Sequence, residues 1–182
     1  PLLHEVLPMN DTSLAEAIAS GQLLLIDGTH IPTGNRPASG LAKANYSGKH
    51  KVQCLNIQVA STLEGDLIAV STPTPGSRHD LKALELCGWK TSLNHANGQW
   101  IADTAYISTT ALTPIKRTPH TPRKQWQKTF NATIASLRAG IEHCIAQLKN
   151  WKILKTGHKG PLHELPNIIQ TITKLELYRL SW

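Results

Sequence analysis

Four large apolar residues, Leu23 to Ile26, run together and end at Asp27. A run this short predicts a buried strand over 23–27, with its carboxylate delivered into the turn Gly28-Thr29-His30-Ile31-Pro32. Upstream, DTSLAEAIAS (11–20) predicts a short helix with Asp11 or Thr12 as N-cap and Gly21 as its stop. Residues 32–51 are rich in Pro, Gly, Ser and Lys and read as a long loop or irregular hairpin. VQCLNIQVAS (52–61) alternates apolar and polar positions as a half-buried strand does. A tight turn at LEGD then leads to a second strand, LIAVST (67–72), which makes 52–72 an antiparallel hairpin.

After the break PTPGS, a helix is expected from His79, with Leu81, Leu84 and Cys87 on one side. Trp100-Ile101-Ala102 then repeats the opening pattern, a short apolar strand delivering Asp103 into a turn, and LTPIK (112–116) reads as one more strand. The longest helical pattern runs from Arg123 to Trp151, with Trp126, Phe130, Ile134, Leu137, Ile141, Ile145 and Leu148 forming one apolar stripe. A last amphipathic helix follows LHELP and buries Leu165, Ile168, Ile169, Ile172 and Leu175. The order of elements is that of a mixed α/β domain.

With 182 residues, 40% of them hydrophobic and 17% charged, the chain has the makings of a globular core. It lacks the roughly 18-residue apolar run of a membrane span. Cys54, Cys87 and Cys144 are odd in number and far apart, which suits a reducing cytosol and neither a disulfide framework nor a zinc knuckle. The charge is unevenly spread. Residues 1–113 hold seven Lys/Arg against nine Asp/Glu (−2), and residues 114–182 hold twelve against three (+9). A basic half beside a slightly acidic one points to a polyanion partner, nucleic acid first, or to a solvated basic face.

The carboxylates sharpen that picture. An ionised carboxylate beside a core costs roughly several kcal/mol unless it is compensated, so Asp27 either caps a turn in solvent or meets a cation at a strand end. On the long helix, Arg138, Glu142 and Lys149 stand at i, i+4 and i+11, within roughly 40° of one another at about 100° per residue. They border the apolar stripe, where Glu142 can converge with Asp27 and Asp103. Three acids from separate elements are tolerated together mainly when a divalent cation neutralises them. The plainer alternatives are turn caps for the two aspartates and an i,i+4 Arg138–Glu142 pair.

Five stretches together resemble one known family, in its order: LLLIDGTHI, NYSGKHKVQCLNIQVAS, PTPGSRHDL, WIADTAY and RAGIEHCIAQLKNWKIL. The chain resembles the catalytic domain of DDE transposases of bacterial insertion sequences, in the division related to eukaryotic Harbinger elements. The resemblance implies a ribonuclease-H-like fold, a mixed sheet flanked by helices, over residues 23–155. Residues 1–22 would then be an N-terminal linker helix, and 156–182 a C-terminal amphipathic helix packed on the domain. It implies Asp27, Asp103 and Glu142 as the catalytic, metal-holding triad for two Mg²⁺ ions, with Mn²⁺ as a substitute. The activity implied is metal-dependent cleavage and strand transfer of DNA ends; an inactive or domesticated DNA-binding relative, or a nuclease without strand transfer, are the alternatives.

Asp80, in GSRHD, is an auxiliary candidate that competes with Asp103, and otherwise complements a helix dipole. Lys49, Lys51, Arg138 and Lys149 are the expected DNA-binding residues; of Arg138 and Lys149, one is expected to orient Glu142 and the other to contact phosphate. Trp126 fits the apolar stripe and is expected in the core. Ala105 stands where the family usually has Gly, and Ala135 where related signatures often carry Tyr. Only residues 1–22 precede the first strand, so the helix-turn-helix that reads element ends is expected elsewhere, either on a separate polypeptide or on a missing portion. The remaining expectations are DNA as partner, a homo-oligomer, and a cytoplasmic, nucleoid-associated location away from membranes.

Overall fold

The computed structural model describes residues 14–34, 36, 41–96 and 99–180. The proposed N-cap at Asp11 or Thr12 lies outside them. The elements, in order, are α1 (Leu14–Ala19), β1 (Leu24–Pro32), α2 (Leu41–Ala44), β2 (Tyr46–Ser47), β3 (Val52–Ser61), β4 (Leu67–Val70) and β5 (Thr74–Pro75). There follow α3 (Asp80–Leu86), α4 (Trp89–Asn94), β6 (Trp100–Ile101), α5 (Gln125–Leu148), α6 (Lys152–Thr156) and α7 (Leu165–Leu180). Short 3₁₀ turns occupy Thr104–Tyr106 and Leu162–Glu164.

The sheet is mixed. β3 is its hub, antiparallel to β1 from Leu25↔Ser61 through Pro32↔Cys54, and antiparallel also to β2, β4 and β5. β6 lies parallel to β1 but pairs only at Leu24↔Trp100 and Leu25↔Ile101. Alternate residues of β1 serve two cores. Leu25 and Ile31 pack with Ile57, Val59, Ile134, Ile141 and Leu148 under α5 and α7. Leu24 and Ile26 pack with Leu84, Leu93, Trp100 and Tyr106 on the opposite face, against α1, α3 and α4. A strand buried on both faces reads as an unbroken apolar run, which is why Leu23–Ile26 lacks alternation. This sheet flanked by helices bears out the expected mixed α/β class and is compatible with a ribonuclease-H-like fold. Among the described residues no helix is long and apolar enough to cross a membrane.

Several expectations need correction. β1 does not end at Asp27; eight consecutive pairings with β3 carry it on to Pro32, and Thr29 follows on the Asp27 face. What ends is its second neighbour, β6. Residues 112–116 form no strand, only a bridge between Leu112 and Ile101. β3 is buried on both faces from Cys54 onward rather than half-buried, because its polar residues find partners inside. The helix from His79 breaks at Gly88, whose φ of +83° ends α3 and starts α4. Trp126 is 60% exposed; the buried stripe of α5 begins at Ile134, with Phe130 half-buried, so the first turn projects past the core.

Gly140 sets how closely α5 approaches the sheet. A Cβ there would collide with the Leu63 carbonyl oxygen and lie 3.0 Å from Leu25 Cδ1. At an open helix position Gly→Ala stabilises by up to about 1 kcal/mol. Here Gly140→Ala is expected to destabilise by about 1–3 kcal/mol through overpacking, measured by urea unfolding; an unchanged or raised stability contradicts this docking.

Candidate active site

Asp27 points to the α5 side of β1, the side of Leu25 and Ile31. There the Arg138 guanidinium donates to Asp27 Oδ2 at 2.9 Å, with 16% of the Arg138 side chain and 20% of the Asp27 side chain exposed. The Gly28 N–H donates to Asp27 Oδ1 at 2.8 Å. Both favour the ionised form, yet the carboxyl is pushed up from the ordinary 3.8 to about 6. Burial is the largest cause; Arg138 opposes it, Asp103 adds to it, the Gly28 N–H opposes it, and Asp80 adds again. Arg138 Nε is buried without a partner among the described residues.

The register explains why Asp103 acts on Asp27. Leu25 pairs with Ile101, and each aspartate lies two residues further along its chain, so both reach the same edge on the same face. β6 stops at Ile101, which leaves that edge open. Asp103 does cap a turn: its Oδ1 accepts from the Ala105 N–H at 2.7 Å and starts the Thr104–Tyr106 turn. Asp27 caps no turn. Asp80, the first residue of α3, presses its carboxylate against the Gly28 Cα, where a Cβ would collide with it. His79 caps that helix, its Nδ1 accepting from the Lys82 N–H at 3.2 Å.

Glu142 stands apart. It is exposed on the turn of α5 after Arg138 and makes no hydrogen bond or ion pair among the described residues. The alternative Arg138–Glu142 pair is not formed, since Arg138 turns to Asp27 instead. Among the described residues no group of three or more His, Cys, Asp and Glu is drawn together as a metal-binding cluster. The half-buried edge still has the donor chemistry of a hard divalent cation, oxygen only, in Asp27 and Asp103, and a cation there would offset the burial that chiefly raises the Asp27 carboxyl.

The basic residues converge in part. Lys49 lies in the exposed turn before β3, and Lys149 caps the end of α5, its ammonium lowered by burial. Both act on His30 of β1, whose ring lies 4.2 Å from that of His50. Burial chiefly, with His50 next, takes His30 down to about 4; Asp80 opposes, and Lys49 and Lys149 add to the fall. His30 went unnoticed in the sequence, where no spacing distinguishes it from the other eight histidines. Lys51 is exposed, with a φ of +58°, and Tyr46 is exposed beside it.

Because the folded carboxyl of Asp27 titrates above its unfolded value, the folded state holds the extra proton between these values. The Asp27 contribution to stability therefore falls as pH rises from about 4 to about 6, by on the order of 2–3 kcal/mol, while His30, lowered to about 4, contributes a rise up to its ordinary 6.5. Asp27→Asn is expected to remove this contribution, so that wild-type stability minus variant stability falls over the same range, as read by urea unfolding across pH. A difference between wild type and variant that stays level or rises over the same range contradicts the assignment.

Comparison with known proteins gives the family of the chain. Residues 26–176 match the family model described as DDE superfamily endonuclease. The chain is 30% identical over 150 residues to the protein of Streptomyces albus G named "Putative transposase for insertion sequence element IS112". That match covers 81% of this chain and 56% of the relative, so the chain spans about half the relative's length. No solved structure matches. With the family model spanning Asp27, Asp80, Asp103, Arg138 and Glu142, the chain belongs to the DDE superfamily endonucleases.

Proposed function

We propose that this chain carries the catalytic centre of a transposase, acting in DNA recombination by cleaving DNA ends and joining them to a target. The observation that carries the reading is Asp27, a carboxylate kept half-buried beside Asp103 and Asp80 although its charge is disfavoured there. Asp27, Asp103 and Glu142 would hold two Mg²⁺ ions, with Mn²⁺ as substitute. Bound there, such ions activate the attacking hydroxyl and stabilise the leaving 3′-oxygen of an in-line phosphoryl transfer.

The chain's own groups do the remaining work. Arg138 keeps Asp27 oriented and partly neutralised. Glu142 has no competing partner among the described residues and sits on the same stretch of α5, so a side-chain rotation can bring it to the shared edge. Lys49, Lys51 and Lys149 hold backbone phosphates, and the +9 balance of residues 114–182 extends that attraction. Arg138 serves phosphate as well once Asp27 has another counter-charge. Residues 23–155 form the catalytic part, with 156–182 packed on it. Recognition of element ends is assigned to a helix-turn-helix outside residues 14–180, and pairing of two ends to a homo-oligomer on nucleoid DNA in the cytoplasm. A second reading, DNA binding without cutting, draws on the exposure of Glu142 away from the aspartates.

Oligonucleotides bearing candidate element ends separate the two. Cleavage and strand transfer are expected with Mg²⁺ or Mn²⁺ and not with EDTA, and Asp27→Ala, Asp103→Ala and Glu142→Ala should each lower the rate at least about 100-fold, the scale of losing one transition-state electrostatic contact. Binding without cleavage favours the second reading. Cleavage without joining makes the chain a nuclease, and unchanged activity in Asp27→Ala and Glu142→Ala removes the triad.

A further inference from the structure

β3 carries Asn56 and Gln58 at positions that are 0% exposed, on the face it shares with Gly28 and His30 of β1. Such groups are costly to bury unless every one is satisfied. Here they form a chain. The Tyr106 hydroxyl, itself fully buried, donates to Gln58 Oε1 at 2.6 Å; Gln58 Nε2 donates to Asn56 Oδ1 at 3.1 Å; and Asn56 Nδ2 donates to Asp80 Oδ1 at 2.9 Å. Asn56 Nδ2 also reaches the Arg78 carbonyl at 3.4 Å, and the Asn56 carbonyl accepts from Thr74 Oγ1 at 3.1 Å.

The direction of this chain is fixed from its Asp80 end. An ionised carboxylate only accepts, so Asn56 must present its amino group to Asp80 and its oxygen to Gln58. Gln58 must then present its amino group to Asn56 and its oxygen to Tyr106, which must donate. Every link polarises the next toward Asp80. On the opposite side, the missing Cβ of Gly28 admits the Asp80 carboxylate against the backbone of β1, one residue from Asp27. The other face of the same strand fills its space with Ile57 and Val59, so packing alone does not call for three buried polar groups.

We propose that Tyr106, Gln58 and Asn56 are positioning residues that hold the Asp80 carboxylate against Gly28, so that its second oxygen joins the cation-binding edge beside Asp27. The inference rests on the functional reading above and adds to it a carboxylate outside the Asp27–Asp103–Glu142 set, together with the relay that places it.

Mn²⁺ binding to the full chain, followed by electron paramagnetic resonance without DNA, tests it. Asp80→Asn keeps the shape and the Asn56 contact but removes the charge, and should weaken Mn²⁺ binding by about 10–100-fold. Gly28→Ala, which displaces Asp80 from the strand, should do the same. Tyr106→Phe should weaken it by about 10-fold and should have no further effect in the Asp80→Asn background, because the relay acts only through Asp80. Undiminished binding by Asp80→Asn and Gly28→Ala overturns the inference, as does a Tyr106→Phe loss of equal size in both backgrounds. If wild type itself takes up no Mn²⁺, the functional reading falls and this inference with it; wild-type uptake with unaltered variants sinks the inference alone.

Discussion

The ion pair between Asp27 and Arg138 is the constraint around which the rest is arranged. It joins a carboxylate on the central strand to a guanidinium 111 residues later on α5. A pair this enclosed stabilises little by itself, because each ion loses water to form it, whereas losing either partner strands a buried charge. Its geometry requires α5 to lie close to β1, and the bare Gly140 backbone against Leu63 permits that approach. It also requires the Asp27 side of β1 to be open, and the early end of β6 at Ile101 provides the opening.

The same edge gathers charge of both signs. Asp103 comes from the end of β6 and Asp80 from the first turn of α3 over Gly28, and both work against Arg138 at the Asp27 carboxyl. A short way along β1, His30 sits among His50, Lys49 and Lys149, and among the described residues Asp80 is the acid that opposes them. On the proposed reading, the oxygen donors of Asp27 and Asp103 would take cations and the nitrogen groups around His30 would face the phosphate backbone.

Much of this was legible in the sequence. The strand at 52–61, the one expected over 67–72 and found at 67–70, the long helix and the recurrence of a short apolar run ahead of an aspartate all follow from periodicity, and the register brings Asp27 and Asp103 to one edge. The rest depends on tertiary pairing, which no local pattern carries. Asp27 lies mid-strand because β3 continues past it while β6 does not. Arg138 chooses a carboxylate across the fold over Glu142 one turn away, since only Asp27 is buried enough to need it. Asn56 and Gln58 read as solvent-facing positions of an amphipathic strand, and they are buried because Tyr106 and Asp80 satisfy them. Trp126 kept the helical spacing of the stripe, but spacing does not say where the sheet beneath it ends.

The central claim is that the open edge of β1 is a cation site completed by Glu142. Diffraction from Mn²⁺-soaked crystals at the manganese absorption edge tests it most directly. The account predicts anomalous peaks in contact with both Asp27 and Asp103, with Glu142 turned from solvent onto the same ions. Manganese bound elsewhere, with Asp27 still held by Arg138 and Glu142 still in solvent, contradicts it.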